Sequence, residues 1–184
     1  MARITDFRLL AAGQTLSWVG NGFQTVALAV AVVRAGGGPG HLGLVMACSV
    51  TAMLACSLFG GVWADRLQPQ RVMVVSDLVR LLGAAGMAAM FAAGGYRLPL
   101  LCTLAAVSAG AGSFFSPAMS ALKPLLVPGE RRQSANATLS MLQTGGSVVG
   151  PALGGLTVAA FGAPAGFAVN AASFLASMAA AMLA

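Results

Sequence analysis

Apolar and polar positions alternate along this chain on a coarse scale: apolar runs close to the roughly 20 residues that cross a bilayer core are separated by short stretches that hold most of the charge. The runs lie at about 9–33, 42–64, 72–94, 98–122, 138–161 and 165–184, and they predict one bundle of six transmembrane helices over residues 1–184. The polar exceptions inside the runs are more informative. In the first run Gln14, Ser17, Asn21 and Gln24 recur at steps of three and four, which is one face of a helix. An amide left in hydrocarbon without a partner is costly, so this face has two readings, helix–helix hydrogen bonding or the wall of a water-filled cavity. Gln14, Asn21, Gln24 and, from the fifth run, Gln143 are the cavity-lining candidates.

The third run carries Asp77 and Arg80, three residues apart and therefore neighbours on one helical face. A charge at the centre of a span costs about 2.5–3.5 kcal/mol on the insertion scale, so such residues turn toward the bundle interior and pair. A structural ion pair holding spans two and three together and direct proton carriage both fit the spacing.

The fourth run becomes small and proline-bent through Gly110–Ala118, where Pro117 removes a backbone hydrogen bond. Lys123–Arg132 then reads as a proline-punctuated loop, with Ser134 or Asn136 as the cap of the next helix. In the fifth run Gly146, Gly150 and Gly154 form a groove in which a neighbouring helix can lie. Pro151 bends that helix, and Asn136, Ser140, Gln143 and Ser147 extend its face with polar groups. Between runs two and three, Gly60 to Arg71 reads as a hinge: paired glycines, then Asp65 and Arg66 at the headgroup boundary, then Pro69. Arg66 and Arg71 either fix topology or belong to a gate.

Composition then excludes a soluble domain, because 58% of residues are hydrophobic, 8% are charged and the mean hydropathy is +0.87. The excess of 10 Lys and Arg over 4 Asp and Glu is scattered between apolar runs, so no basic face exists to follow a nucleic-acid backbone. Cys48, Cys56 and Cys102 lack metal-ligand spacing and read as small packing residues. His41 falls in a glycine-rich outer loop and is assigned no role. No nucleophile–base pair and no metal constellation is visible, which argues against an enzyme and calls for no cofactor. Arg3, Arg8, Arg66, Arg71, Lys123, Arg131 and Arg132 fall on one side of the bilayer, against Arg34 and Arg97 on the other. That bias predicts a multi-pass protein of the cell membrane with both termini cytoplasmic.

Three segments together resemble the major facilitator superfamily: the hinge Gly61-Val62-Trp63-Ala64-Asp65-Arg66, the run Gly146 to Gly155, and Phe115-Ser116-Pro117-Ala118 through Leu126-Val127-Pro128 to Ala135-Asn136-Ala137. The branch most similar is that of the enterobactin exporters and macrolide-efflux proteins, which Asn170 and Ser173 in the last span also fit. The resemblance covers the whole chain as an amino-terminal six-span half. It implies an all-α membrane fold of two inverted three-helix repeats, half of a major facilitator fold. It further implies a gating latch at Asp65 and Arg66 with Arg71, and an antiporter helix motif at Gly146, Gly150, Pro151, Gly154 and Gly155. Gln68 stands where the family's hinge has glycine and Pro69 where a basic residue follows, so Arg71 is the remaining downstream cation. The fourth span lacks the arginine that many proton-coupled members carry, leaving Asp77 with Arg80 as the intramembrane pair.

The expected function is transport, namely efflux of an amphipathic small molecule such as a drug or siderophore-like compound, with protons as the candidate coupling ion. The partners implied are that substrate, the lipid bilayer and a second six-helix half. This half would be missing chain, a partner or a second copy, and the abrupt end at Met182-Leu183-Ala184 favours a fragment. The alternative is a non-transporting membrane scaffold or partner subunit.

Overall fold

The six apolar runs fold as six helices, because a segment in lipid must satisfy every backbone N–H and C=O internally. The computed structural model describes residues 2–64 and 68–183, and the side chains of these except 2–6, 59–64, 125 and 131. In chain order the helices are α1 (Ala2–Arg34), α2 (Pro39–Ala64), α3 (Pro69–Ala92), α4 (Leu98–Leu126), α5 (Arg132–Phe161) and α6 (Ala163–Leu183). Each of the six is long and apolar enough to cross a membrane, and no strand occurs among the described residues. This is an all-α membrane protein. Sharp stops separate α1 from α2 and α3 from α4, where Gly36 and Gly94 take positive φ angles of 79° and 68°. The following N–H groups bond back to the helix end, Gly37 to Val32 O at 2.9 Å and Gly95 to Met90 O at 3.0 Å, the arrangement that closes a helix when glycine occupies the left-handed position.

Several boundaries differ from those expected. Helix α2 begins at Pro39, so His41 lies in its first turn rather than in a glycine-rich loop, and its Nδ1 is 3.0 Å from the Tyr96 hydroxyl. Helix α4 continues through Lys123 and Pro124 to Leu126, and only Val127, Pro128 and a single 3-10 turn, Gly129–Arg131, separate it from α5. Ser134 and Asn136 therefore sit inside α5 and do not cap it; Ser134 O already accepts from Thr138 Oγ1 at 3.0 Å. Pro117, Pro124 and Pro151 all lie within uninterrupted helices. The loss of one hydrogen bond at a proline is less costly in lipid than ending the helix and stripping its whole last turn of partners.

The principal contacts place the helices in the order α5, α1, α6, α3, α4, α2. Exchanging α1 with α4, α2 with α5 and α3 with α6 reverses that order and leaves it unchanged. Three spans are an odd number, so the second unit of three enters the bilayer from the opposite side. The packing is that of two inverted three-helix repeats.

Apolar side chains gather at the two ends of the bundle. One cluster includes Leu10, Met73, Phe115, Met119 and Leu139; the other includes Val32, Val45, Met87, Leu101 and Phe167. The buried polar side chains Gln14, Ser17, Ser76, Asp77, Ser108, Asn170, Ser173 and Ser177 occupy the middle turns of α1, α3, α4 and α6 between them. A polar belt thus crosses the bundle between two apolar ends.

Candidate functional site

The glycines of α5 set the distance from which the site is built. Gly146, Gly150 and Gly154 are buried and face α1, where a Cβ on each would lie 3.0 Å from Trp18 Cβ, 2.5 Å from Val19 O and 2.8 Å from Phe23 Cα respectively. In the other direction, a Cβ on Gly22 would come 2.5 Å from Pro151 Cδ. The two helices touch backbone to backbone. Gly155, the last residue of the predicted motif, has open space at its Cβ position and takes no part in the seam.

Beside this seam a cleft of about 480 Å³ opens between four helices. Helix α1 contributes Gln14, Trp18 and Asn21, and α5 contributes Asn136, Leu139, Ser140 and Gln143. Arg80 enters from α3, while α4 supplies Gly112, Phe115, Met119 and, toward the end of the bundle where α1 begins and α6 ends, Lys123. This volume is in the range of small-molecule sites, and the mixture of apolar walls with a few converging polar groups is typical of them.

Arg80 is held from three directions. Its Nη1 lies 3.4 Å from Asp77 Oδ1, its Nη2 donates to Asn21 Oδ1 at 3.1 Å, and its guanidinium carbon is 4.1 Å from the centre of the Phe174 ring. The ion pair is contained within α3, and the same guanidinium ties α3 to α1 and α6, not to α2 as the spacing alone allowed. The Arg80 side chain is 12% exposed and the Asp77 side chain 0%, so the cation reaches the cleft while its counter-ion stays behind it. Asp77 Oδ2 is buried without a hydrogen-bond partner among the described residues, as are Gln14 Oε1 and Ser17 Oγ.

The polar stripe of α1 divides between its two readings. Gln14 and Asn21 are on the cleft wall, as is Gln143. Gln24 is not among the cleft residues; its Oε1 accepts a hydrogen bond from Asn170 Nδ2 on α6. The Ser173 hydroxyl then donates to Asn170 O at 2.8 Å. Asp65 and Arg66 lie outside the described residues, and Arg71 is exposed in the first turn of α3.

Sequence reasoning passed over Trp18, Lys123 and Phe174. Trp18 falls four residues after Gln14 and three before Asn21, so extending the stripe to aromatic positions finds it. Phe174 follows Asn170 by one turn in the same way. Lys123 was counted only toward topology, because its helix was expected to have ended.

Residues 10–184 match the profile of the Major Facilitator Superfamily. The multidrug efflux pump Tap of Mycolicibacterium fortuitum is 30% identical over 152 residues, covering 78% of this chain and 36% of that protein. The MFS-type transporter YfiS of Bacillus subtilis, itself uncharacterized, is 28% identical over 169 residues, 91% of this chain and 39% of that protein. The chain therefore spans well under half the length of the curated relatives it matches. With the match running over nearly all its residues and six helices packed as inverted repeats, the chain belongs to the Major Facilitator Superfamily, a family of membrane transporters and not of enzymes.

Proposed function

We propose that this chain forms one six-helix half of a secondary transporter that exports an amphipathic small molecule across the cell membrane, with the four-helix cleft as this half's share of the substrate site. The observation that carries the reading is Arg80, a cation at the middle of the span Pro69–Ala92, oriented by Asp77, Asn21 and Phe174 and facing a cleft of ligand size. A charge at that depth is costly unless it is used, and intramembrane ionisable residues mark substrate and ion pathways. The likeness to a multidrug efflux pump supports the direction of transport. The second half is further chain, a partner or a second copy, docked so that the cleft lies between the halves.

Asp77 is the candidate proton carrier. It is the carboxylate that the described residues place within a span, and its side chain is fully buried. Asp65 and Arg66, with Arg71, serve in this scheme as the latch on the cytoplasmic side, where both termini also lie. Inside-out vesicles holding this chain together with a second six-helix half are expected to accumulate a fluorescent amphipathic substrate under an imposed proton gradient. Collapsing the gradient or introducing Asp77→Asn stops accumulation. Uptake that survives both changes removes Asp77 from the mechanism, and no uptake with any second half removes efflux.

A further inference from the structure

The charge on the cleft wall names a substrate class, on the reading that this cleft binds substrate. Among the described lining residues two are cations, Arg80 at mid-span and Lys123 toward the end of the bundle where α1 begins, and none is acidic. A smaller recess of about 190 Å³ shares Ser120, Lys123 and Asn136 with the cleft and adds a third cation, Arg132. Arg132 is fixed by donating from Nε to Val127 O at 3.3 Å and from Nη2 to Pro124 O at 3.4 Å. The cations thus lead from the end of the bundle to its middle.

Among the described residues Asp77 is the acid beside them, and it stands behind Arg80. Its Oδ1 pairs with Arg80 Nη1, and its side chain is fully buried, so the pair presents its positive side to the cleft. The guanidinium fork has more N–H donors than its contacts to Asp77 and Asn21 use. Lys123 Nζ, 3.4 Å from Asn136 Oδ1, likewise retains donors. Around these groups stand Trp18, Phe115, Met119 and Leu139, flat or flexible apolar surfaces for a hydrophobic body. Gln14 adds an amide side chain to the same wall.

We infer that the cleft takes amphipathic anions, a carboxylate or comparable head on Arg80 and Lys123 with an aromatic body against Trp18 and Phe115, in preference to lipophilic cations. A ligand cation brought to this wall meets like charge, with the Asp77 carboxylate covered by Arg80, whereas an anion completes a charge-assisted fork.

The test uses three ligands with one body and different heads: bromonaphthoate, bromonaphthylmethanol and bromonaphthylmethylammonium. The protein is reconstituted in lipid discs with Trp63→Phe, so that Trp18 is the remaining tryptophan of the two in the sequence and its quenching by bromine reports occupancy. Saturable binding is separated from partition into lipid by competition with the unbrominated compound. The carboxylate is expected to half-quench Trp18 at a concentration about tenfold or more below that of the ammonium, with the alcohol between them. Lys123→Gln, toward the end of the bundle, lowers that preference, and the paired change Asp77→Asn with Arg80→Gln, which leaves no buried charge alone, abolishes it. If the ammonium or the alcohol competes as well as the carboxylate, the anion inference is overturned and the cleft remains a binding site. If none of the three quenches Trp18 in a competable way, the cleft reading falls and takes the inference with it.

Discussion

Helix α1 comes close to both α5 and α6 at glycines, but only on the side of α6 and α3 does the approach also carry polar side chains. Against α5 it presents backbone to glycine, with Gly22 facing Gly150 and Pro151; against α6 and α3 it presents amides, Gln24 to Asn170 and Asn21 to Arg80. The first seam contains almost no side chain; the second has glycine contacts too, Gly13 against Ala180 and Gly166 against Ala27, and adds hydrogen-bonding side chains. Between lipid-immersed helices there is little hydrophobic driving force, so close van der Waals approach and interhelical hydrogen bonds carry the association. The glycine seam fixes how near the helices come. The polar seam fixes which rotation of α1 is held, and thus which residues of its stripe reach the cleft.

The strongest way to break this contrast is to add atoms where there is no room. In Gly150→Val the first new atom lies 2.5 Å from Val19 O and 3.1 Å from Val19 Cα, both main-chain atoms that cannot rotate away. Overpacking commonly costs about 1–3 kcal/mol where side chains can yield, and more where they cannot. Gly150→Val is therefore expected to abolish the monodisperse detergent-solubilised protein, as read by size-exclusion chromatography. A monodisperse variant with native thermal stability would show that α1 and α5 do not need this approach.

The polar seam should respond to lost partners rather than to added bulk. Arg80→Gln leaves Asp77 buried with an unopposed carboxylate, and removing one member of a buried pair costs about 3–5 kcal/mol. Adding Asp77→Asn to that variant removes the orphan and should restore most of the lost stability. The measurement is a double-mutant cycle of unfolding in mixed micelles; two losses that simply add would mean that the pair is not coupled. A smaller change follows from Asn170→Ala, which deprives Gln24 of its donor. Interhelical hydrogen bonds in membranes average about 0.6 kcal/mol, with a maximum of about 1.7, so this variant should stay folded with a modest drop in the same assay.

How far the sequence could be read follows from the same contrast. The helices were legible because hydrocarbon leaves a backbone few alternatives, and the length of each apolar run sets one span. The glycine face of α5 was legible because its spacing of four needs no knowledge of the partner. The stripe of α1 was legible as a stripe, but its division was not: Gln14 and Asn21 differ from Gln24 only in which neighbour stands opposite, which packing with α6 decides. The boundary at Lys123 was misread for a related reason. Pro124 looks like a helix terminator by the rules for water, whereas in the bundle α4 runs past it and brings Lys123 to the cleft.

The least disruptive test lies inside the glycine motif, where one of two neighbouring glycines is in the seam and the other is outside it. Gly154 is buried, with a Cβ position 2.8 Å from Phe23 Cα, whereas the Cβ position of Gly155 meets nothing within 4 Å. Alanine adds one methyl at either position and improves intrinsic helix propensity by up to about 1 kcal/mol in both. Gly154→Ala must still push α5 away from α1, so its thermal stability in detergent should fall. Gly155→Ala has only the propensity gain and should be neutral or slightly more stable. If the second glycine instead contributes to transport by admitting another helix, Gly155→Ala would leave stability unchanged and lower uptake in vesicles containing both halves. Equal destabilisation by the two alanines would mean that the seam is not confined to the face of Gly146, Gly150 and Gly154, and the sharp division between the two sides of α1 would have to be given up.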